Sequence, residues 1–271
     1  MVDYQLKEKY GFEDLCEIMS ILRAPGGCPW DAEQTHASIK RSLIEETYEV
    51  IEAINKDDKT LLCEELGDVL LQVVFHAQME REQGTFDMGD VCDGICKKLI
   101  ERHPHVFGTV QVDSTEQVLD NWDAIKRRSK QQKTQGEAMQ KVPLELPALM
   151  RAEKIQKKAK KAGFDWDSVD GAYEALESEI AELKAAEAAG DFGQIESELG
   201  DVLFSVVNVA RFLKVDPEQA LTAASDKFLR RYLKVEALAQ ERGIDMPSTP
   251  IGELDKLWAE AKNQESNDGC A

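Results

Sequence analysis

Glu46-x-x-Glu49 followed by Glu65-x-x-Asp68 places four acids at a spacing that recurs later in the chain as Glu179-x-x-Glu182 and Glu198-x-x-Asp201. The hexapeptide Glu-Leu-Gly-Asp-Val-Leu stands at both 65–70 and 198–203, so the recurrence is a duplication and not a by-product of 52 acids among 271 residues. Residues three apart on a helix share a face, so each pair presents two carboxylates together. Two such charges about 4 Å apart repel by roughly 4 kcal/mol at an effective dielectric near 20. A hard divalent cation relieves that repulsion best. The donors are oxygen only, which favours Mg²⁺, or Mn²⁺ in its place, over zinc or copper. A di-iron bundle would require Glu-x-x-His on two helices, and that pattern is missing here. A lone Glu-x-x-Glu is ordinarily a solvated helix face; the duplicated set is what argues for more.

The elements that must carry these acids are helices. Val69, Leu70, Val73, Val74 and Ala77 follow the spacing of one helix face, and Val202, Leu203, Val206, Val207 and Ala210 repeat it. No run of alternating strand residues interrupts the pattern, so the fold class is all-α, a tandem repeat of two helical-bundle domains. Residues 55–59 (Asn-Lys-Asp-Asp-Lys) form a turn whose centre, Asp57, lies equally far from Glu49 and Glu65 and from Glu46 and Asp68. An antiparallel hairpin then sets Glu49 level with Glu65, and Glu46 level with Asp68. The second copy is symmetric about Gly190. Gly67 and Gly200 fall mid-helix, where glycine costs about 1 kcal/mol against alanine, which suggests close approach by a neighbouring helix or ligand.

Net charge is −19 and the pI is near 4.7. Such a chain repels nucleic-acid polymers and anionic membranes, while a local cation cluster can still admit a small anion. Residues 1–23 lack the apolar run of a signal peptide or membrane span. The six cysteines (Cys16, Cys28, Cys63, Cys92, Cys96, Cys270) lack paired zinc spacing and read as reduced thiols, placing the protein in the cytoplasm. Residues 129–147, rich in Gln and Lys with two prolines, read as a linker between a first domain, 1–128, and a second, 148–271. Trp30-Asp31 matches Trp166-Asp167, both tryptophans being expected to anchor helix starts in the core. Trp122 with Lys126 matches Trp258 with Lys262, and Lys98–Arg102 aligns with Lys227–Arg231. His103 and His105 around Pro104 read as a structural turn, Cys28 lacks a histidine to activate it, and residues 263–271 read as a frayed tail.

Together these residues resemble the MazG family of nucleoside triphosphate pyrophosphohydrolases in its two-domain form. The shared motifs are Gly-Cys-Pro-Trp-Asp at 27–31, Glu-Glu-Thr-Tyr-Glu at 45–49, Arg-His-Pro-His-Val-Phe at 102–107, Leu-Pro-Ala-Leu-Met-Arg-Ala at 146–152, Gly-Phe-Asp-Trp at 163–166 and Glu-Leu-Gly-Asp at 65–68 and 198–201. The resemblance implies a dimeric, Mg²⁺-dependent enzyme cleaving nucleoside triphosphates to monophosphate and pyrophosphate in nucleotide-pool house-cleaning. It implies that Glu179, Glu182, Glu198 and Asp201 hold metal and carry catalysis, with Glu46, Glu49, Glu65 and Asp68 as a second possible site. Lys227, Arg230 and Arg231 would meet the phosphates, and Trp258 would lie near the base. At i, i+3 and i+4 those three cations share one helix face. The first half has Glu101 where the second has Arg230, so hydrolysis is expected in the second half, with the first stabilising a dimer, binding a regulator or weakly active. One rival is a non-catalytic helical module that binds nucleotides or a protein. The other is a narrower pyrophosphatase acting on dUTP, dCTP or a damaged nucleotide.

Overall fold

The computed structural model describes residues 4–268 apart from 116, 119, 120, 123 and 126–133. Among the described residues every regular element is a helix, and no strand occurs. The chain divides into two compact units, residues 1–126 and 127–271.

The first unit contains α1 (Phe12–Arg23), α2 (Pro29–Glu33), α3 (His36–Asn55), α4 (Lys59–Gln83), α5 (Met88–Arg102) and α6 (Pro104–Phe107). Its centre is the α3–α4 hairpin, with α1 laid against α4. Met19 from α1, Ile39 from α3 and Val74, Phe75 and Met79 from α4 form the buried cluster that joins them. The second unit contains α7 (Gln135–Gln140), α8 (Ala148–Lys161), α9 (Val169–Ala189), α10 (Phe192–Phe212), α11 (Pro217–Glu241), a 3-10 turn (Met246–Ser248) and α12 (Ile251–Asp268). The α9–α10 hairpin packs on α8, and α11 packs on α12 through Val235, Ala239, Leu257 and Ala261.

The two hairpins are built by the same local devices in the same register. Thr35 caps α3 and Ser168 caps α9, each hydroxyl accepting from a first-turn amide. At the bend Asp57 has φ 53° and Gly190 has φ 69°, so one left-handed residue reverses the chain in each copy. The next residue, Asp58 or Asp191, then caps the returning helix. The Asp58 amide donates to the carbonyl of Ala53, and the Asp191 amide to that of Ala186. Ala53 and Ala186 are both buried beneath their turns.

Several sequence expectations change here. Residues 135–140, inside the stretch read as linker, form α7, capped by Thr134; Ala138 is buried and the helix packs on α8. The supposed tail is helical through Asp268. Trp30 and Trp166 are not core anchors: they are 62% and 46% exposed. Trp166 instead lies across the first turn of α9, where a Cβ on Gly171 would come within 2.4 Å of its ring. What pins that loop is Asp165, which accepts from Arg211 Nη1 at 3.0 Å while Asn208 accepts from Arg211 Nε at 2.9 Å. Burial pushes the Asp165 carboxyl up, but the Arg211 hydrogen bonds and charge outweigh it and hold the group below its ordinary range. His103 caps the end of α5, with Nδ1 2.6 Å from the Leu99 carbonyl and its ring edge-on to Trp122, as a structural turn would have it. The cysteines at 16, 28, 63, 92 and 96 are free thiols. Cys270, Lys126 and the residues around 128 lie outside the described residues.

Candidate active site

In each hairpin three glutamates converge. Glu179 and Glu182 on α9 meet Glu198 on α10 with one carboxylate oxygen from each inside a 4.8 Å triangle, and Glu46, Glu49 and Glu65 do the same on α3 and α4. Helical periodicity supplies the first two members, and the symmetric turn supplies the third. Asp201 and Asp68 lie outside these triangles although the levelled hairpin set them beside Glu179 and Glu46. Both aspartates remain near enough to act electrostatically. Burial pushes the Glu179 carboxyl up, and Glu182, Asp201 and Glu198 push it further in the same direction. Glu46 and Glu65 are raised for the same reasons, burial first, with Glu49 and Asp68 acting on both.

The donor set fits a hard divalent cation. Three anionic oxygens face one another at a spacing a small ion can bridge, and each charge acting on Glu179 raises its proton affinity. Gly67 and Gly200 have open space where a Cβ would point, so of the two neighbours expected from sequence, a helix or a ligand, no helix among the described residues fills that place. Half of the apolar stripe beside the acids is likewise uncovered. Val207 is buried, while Leu199, Leu203 and Val206 are 48%, 50% and 45% exposed.

The basic segment lies on α11. Lys227 and Arg230 are exposed, as a phosphate-binding face requires. Arg231 is different. It is half-buried, its Nε donates to Glu265 on α12 at 2.8 Å, and its guanidinium sits 5.9 Å from the Trp258 ring. Trp258 in turn packs 5.2 Å from Phe228 and against the α11–α12 core, so one face is structural while the ring stays only partly covered. Sequence reasoning missed Glu265 because it fell in the segment taken for a tail. Its position seven residues after Trp258, two helical turns on, was the available signal.

A helical chain that twice repeats an acidic hairpin of this geometry defines a class: all-α proteins with paired carboxylate clusters able to hold a metal ion. Residues 34–107 and 168–235 both match the MazG nucleotide pyrophosphohydrolase domain. The chain is 48% identical over 93% of its length to the nucleoside triphosphate pyrophosphohydrolase/pyrophosphatase MazG of Thermotoga maritima, covering 95% of that protein. It is 44% identical over 93% of its length to the nucleoside triphosphate pyrophosphohydrolase of Escherichia coli K12, covering 97% of it. An uncharacterized Bacillus subtilis protein, YabN, is 45% identical over 94% of this chain, which spans 52% of YabN. This chain belongs to the MazG family.

Proposed function

We propose that the protein is a magnesium-dependent nucleoside triphosphate pyrophosphohydrolase, releasing a nucleoside monophosphate and pyrophosphate, with its working site in the second unit. The observation that carries this reading is the Glu179–Glu182–Glu198 triangle in a chain whose full-length relatives bear that activity in their names. Glu179, Glu182, Glu198 and Asp201 hold Mg²⁺, or Mn²⁺ in its place; Glu46, Glu49, Glu65 and Asp68 form the second candidate set. When bound, the ion supplies positive charge to the phosphate oxygens and to the departing pyrophosphate.

The chain's own residues do the rest. Lys227 and Arg230 project into solvent from one face of α11 and neutralise the triphosphate that a −19 chain otherwise repels. Arg231 reaches the phosphates from beside Trp258, and the uncovered part of that indole stacks on the base with little discrimination between bases. One glutamate of the cluster, acting as base in place of ligand, takes a proton from the attacking water. The protein works in the cytoplasm as a homodimer. Leu199, Leu203, Val206 and Tyr173 leave the α9–α10 hairpin apolar on a side that a second copy can bury. The first unit keeps its acids but has Glu101 where Arg230 stands, so it supports the assembly and does not turn over substrate.

The test uses the full chain and a panel of NTPs and dNTPs with pyrophosphate readout. Glu179→Gln abolishes Mg²⁺-dependent release and Glu46→Gln spares it. Equal loss in both variants would overturn the division of labour, and no release by the wild type would overturn the activity.

A further inference from the structure

Glu265, on α12, meets the proposed phosphate-binding cations of α11. Its carboxylate accepts from Arg231 Nε at 2.8 Å, both side chains being about one-fifth exposed. The same guanidinium lies over Trp258, which packs on Phe228. Arg231, then Lys234 and Arg230, all hold the Glu265 carboxyl below its ordinary range, so the fields of three cations overlap at that oxygen pair. A carboxylate and a phosphate draw on the same N–H donors. In the first half the position matching Glu265, seven after Trp122, is Ser129, and the position matching Arg230 is Glu101. The chain thus carries the extra acid only where it carries the arginine pair.

We infer that Glu265 is an affinity-setting residue of the nucleotide site, an internal anion that competes with the substrate's phosphates for Arg231. The inference rests on the reading of Lys227, Arg230 and Arg231 as phosphate ligands. Its consequence runs against the usual effect of deleting a salt bridge. Neutralising Glu265 frees the Arg231 donor it engages and also removes a like charge beside the proposed phosphate ligands. Both changes favour substrate, so Glu265→Gln tightens binding by about three- to tenfold, less at high salt. A residue that only oriented Arg231 would give the opposite sign.

The experiment measures Mg²⁺-dependent binding of α,β-methylene-ATP by calorimetry, and KM and kcat for ATP, on the full-length wild type, Glu265→Gln, Glu265→Asp and Arg231→Gln. Circular dichroism checks that each variant folds. Glu265→Gln is expected to lower Kd and KM together, Glu265→Asp to fall between wild type and Glu265→Gln because the charge remains on a shorter arm, and Arg231→Gln to raise both constants. Unchanged or weaker binding by Glu265→Gln, with a wild type that binds and hydrolyses, overturns the competition while leaving the proposed activity in place. A wild type that neither binds nor cleaves removes the parent reading and the inference with it. If Glu265→Gln lowers the helical signal, Glu265→Ser, which copies the first half, takes its place with the same expected and refuting results.

Discussion

Replacing Glu179 by glutamine should stabilise the metal-free protein even as it removes the proposed activity. Glu179 shares a 4.8 Å triangle with Glu182 and Glu198. One pair of unit charges at that distance repels by about 3.5 kcal/mol at a dielectric of 20 and by about 0.9 kcal/mol in water. Glu182 is exposed and its two neighbours are half-buried, so the lower figure is the better guide. Two such pairs leave a gain of about 1–2 kcal/mol on neutralisation. For a unit of this size each kcal/mol moves the melting temperature by about 2–4 °C. Thermal unfolding followed by helical circular dichroism in EDTA should therefore show Glu179→Gln melting several degrees above wild type. In millimolar Mg²⁺ the order should reverse, because an ion bound only by the native state stabilises by about 2.7 kcal/mol at a hundredfold excess over Kd. A variant that melts below wild type in EDTA would show that the triangle is not under electrostatic strain, and a cation there would lose its physical rationale.

Other consequences can be checked alongside. At the matched bends Gly190→Ala should cost about 1 kcal/mol, since a Cβ at φ 69° is disfavoured, whereas Asp57→Gly should be neutral to stabilising; urea titration of both variants tests the pairing. Asp165→Asn leaves Arg211, only 5% exposed, without its counter-charge and should cost about 3 kcal/mol. Because the Asp165 pKa is depressed in the fold, this contribution is complete above the ordinary aspartate range and is lost as pH falls through and below it. The gap between wild type and Asp165→Asn should therefore close in acid and stay constant from neutral to mildly alkaline pH. Leu203→Glu, on the uncovered side of α10, should yield a monomer by light scattering with its helix content intact; a monomeric wild type would instead refute the dimer.

Much of the fold was legible because its instructions are local. Helical spacing, an aspartate cap and one left-handed residue are written within a few positions of each other, and they place Glu49 opposite Glu65 and Glu182 opposite Glu198 without reference to the rest of the chain. The same arithmetic set Asp68 level with Glu46 and Asp201 level with Glu179, and each aspartate's charge acts on that glutamate although neither joins the triangle. At Gly67 and Gly200 it left open whether a helix or a ligand comes close. A glycine in mid-helix shows that room exists, and only the packed structure shows that nothing among the described residues fills it.

By itself, then, the sequence determined the duplication, the all-helical class, the position of each acidic hairpin and the family, since each of these follows from periodicity and repeated motifs. Tertiary structure alone decided that Trp30 and Trp166 lie at the surface, that Asp165 is bound to Arg211, and that Arg231 is already engaged by Glu265. Those outcomes join residues dozens of positions apart through charge and contact across space. No local pattern encodes them, because the partner's distance is set by how whole helices pack.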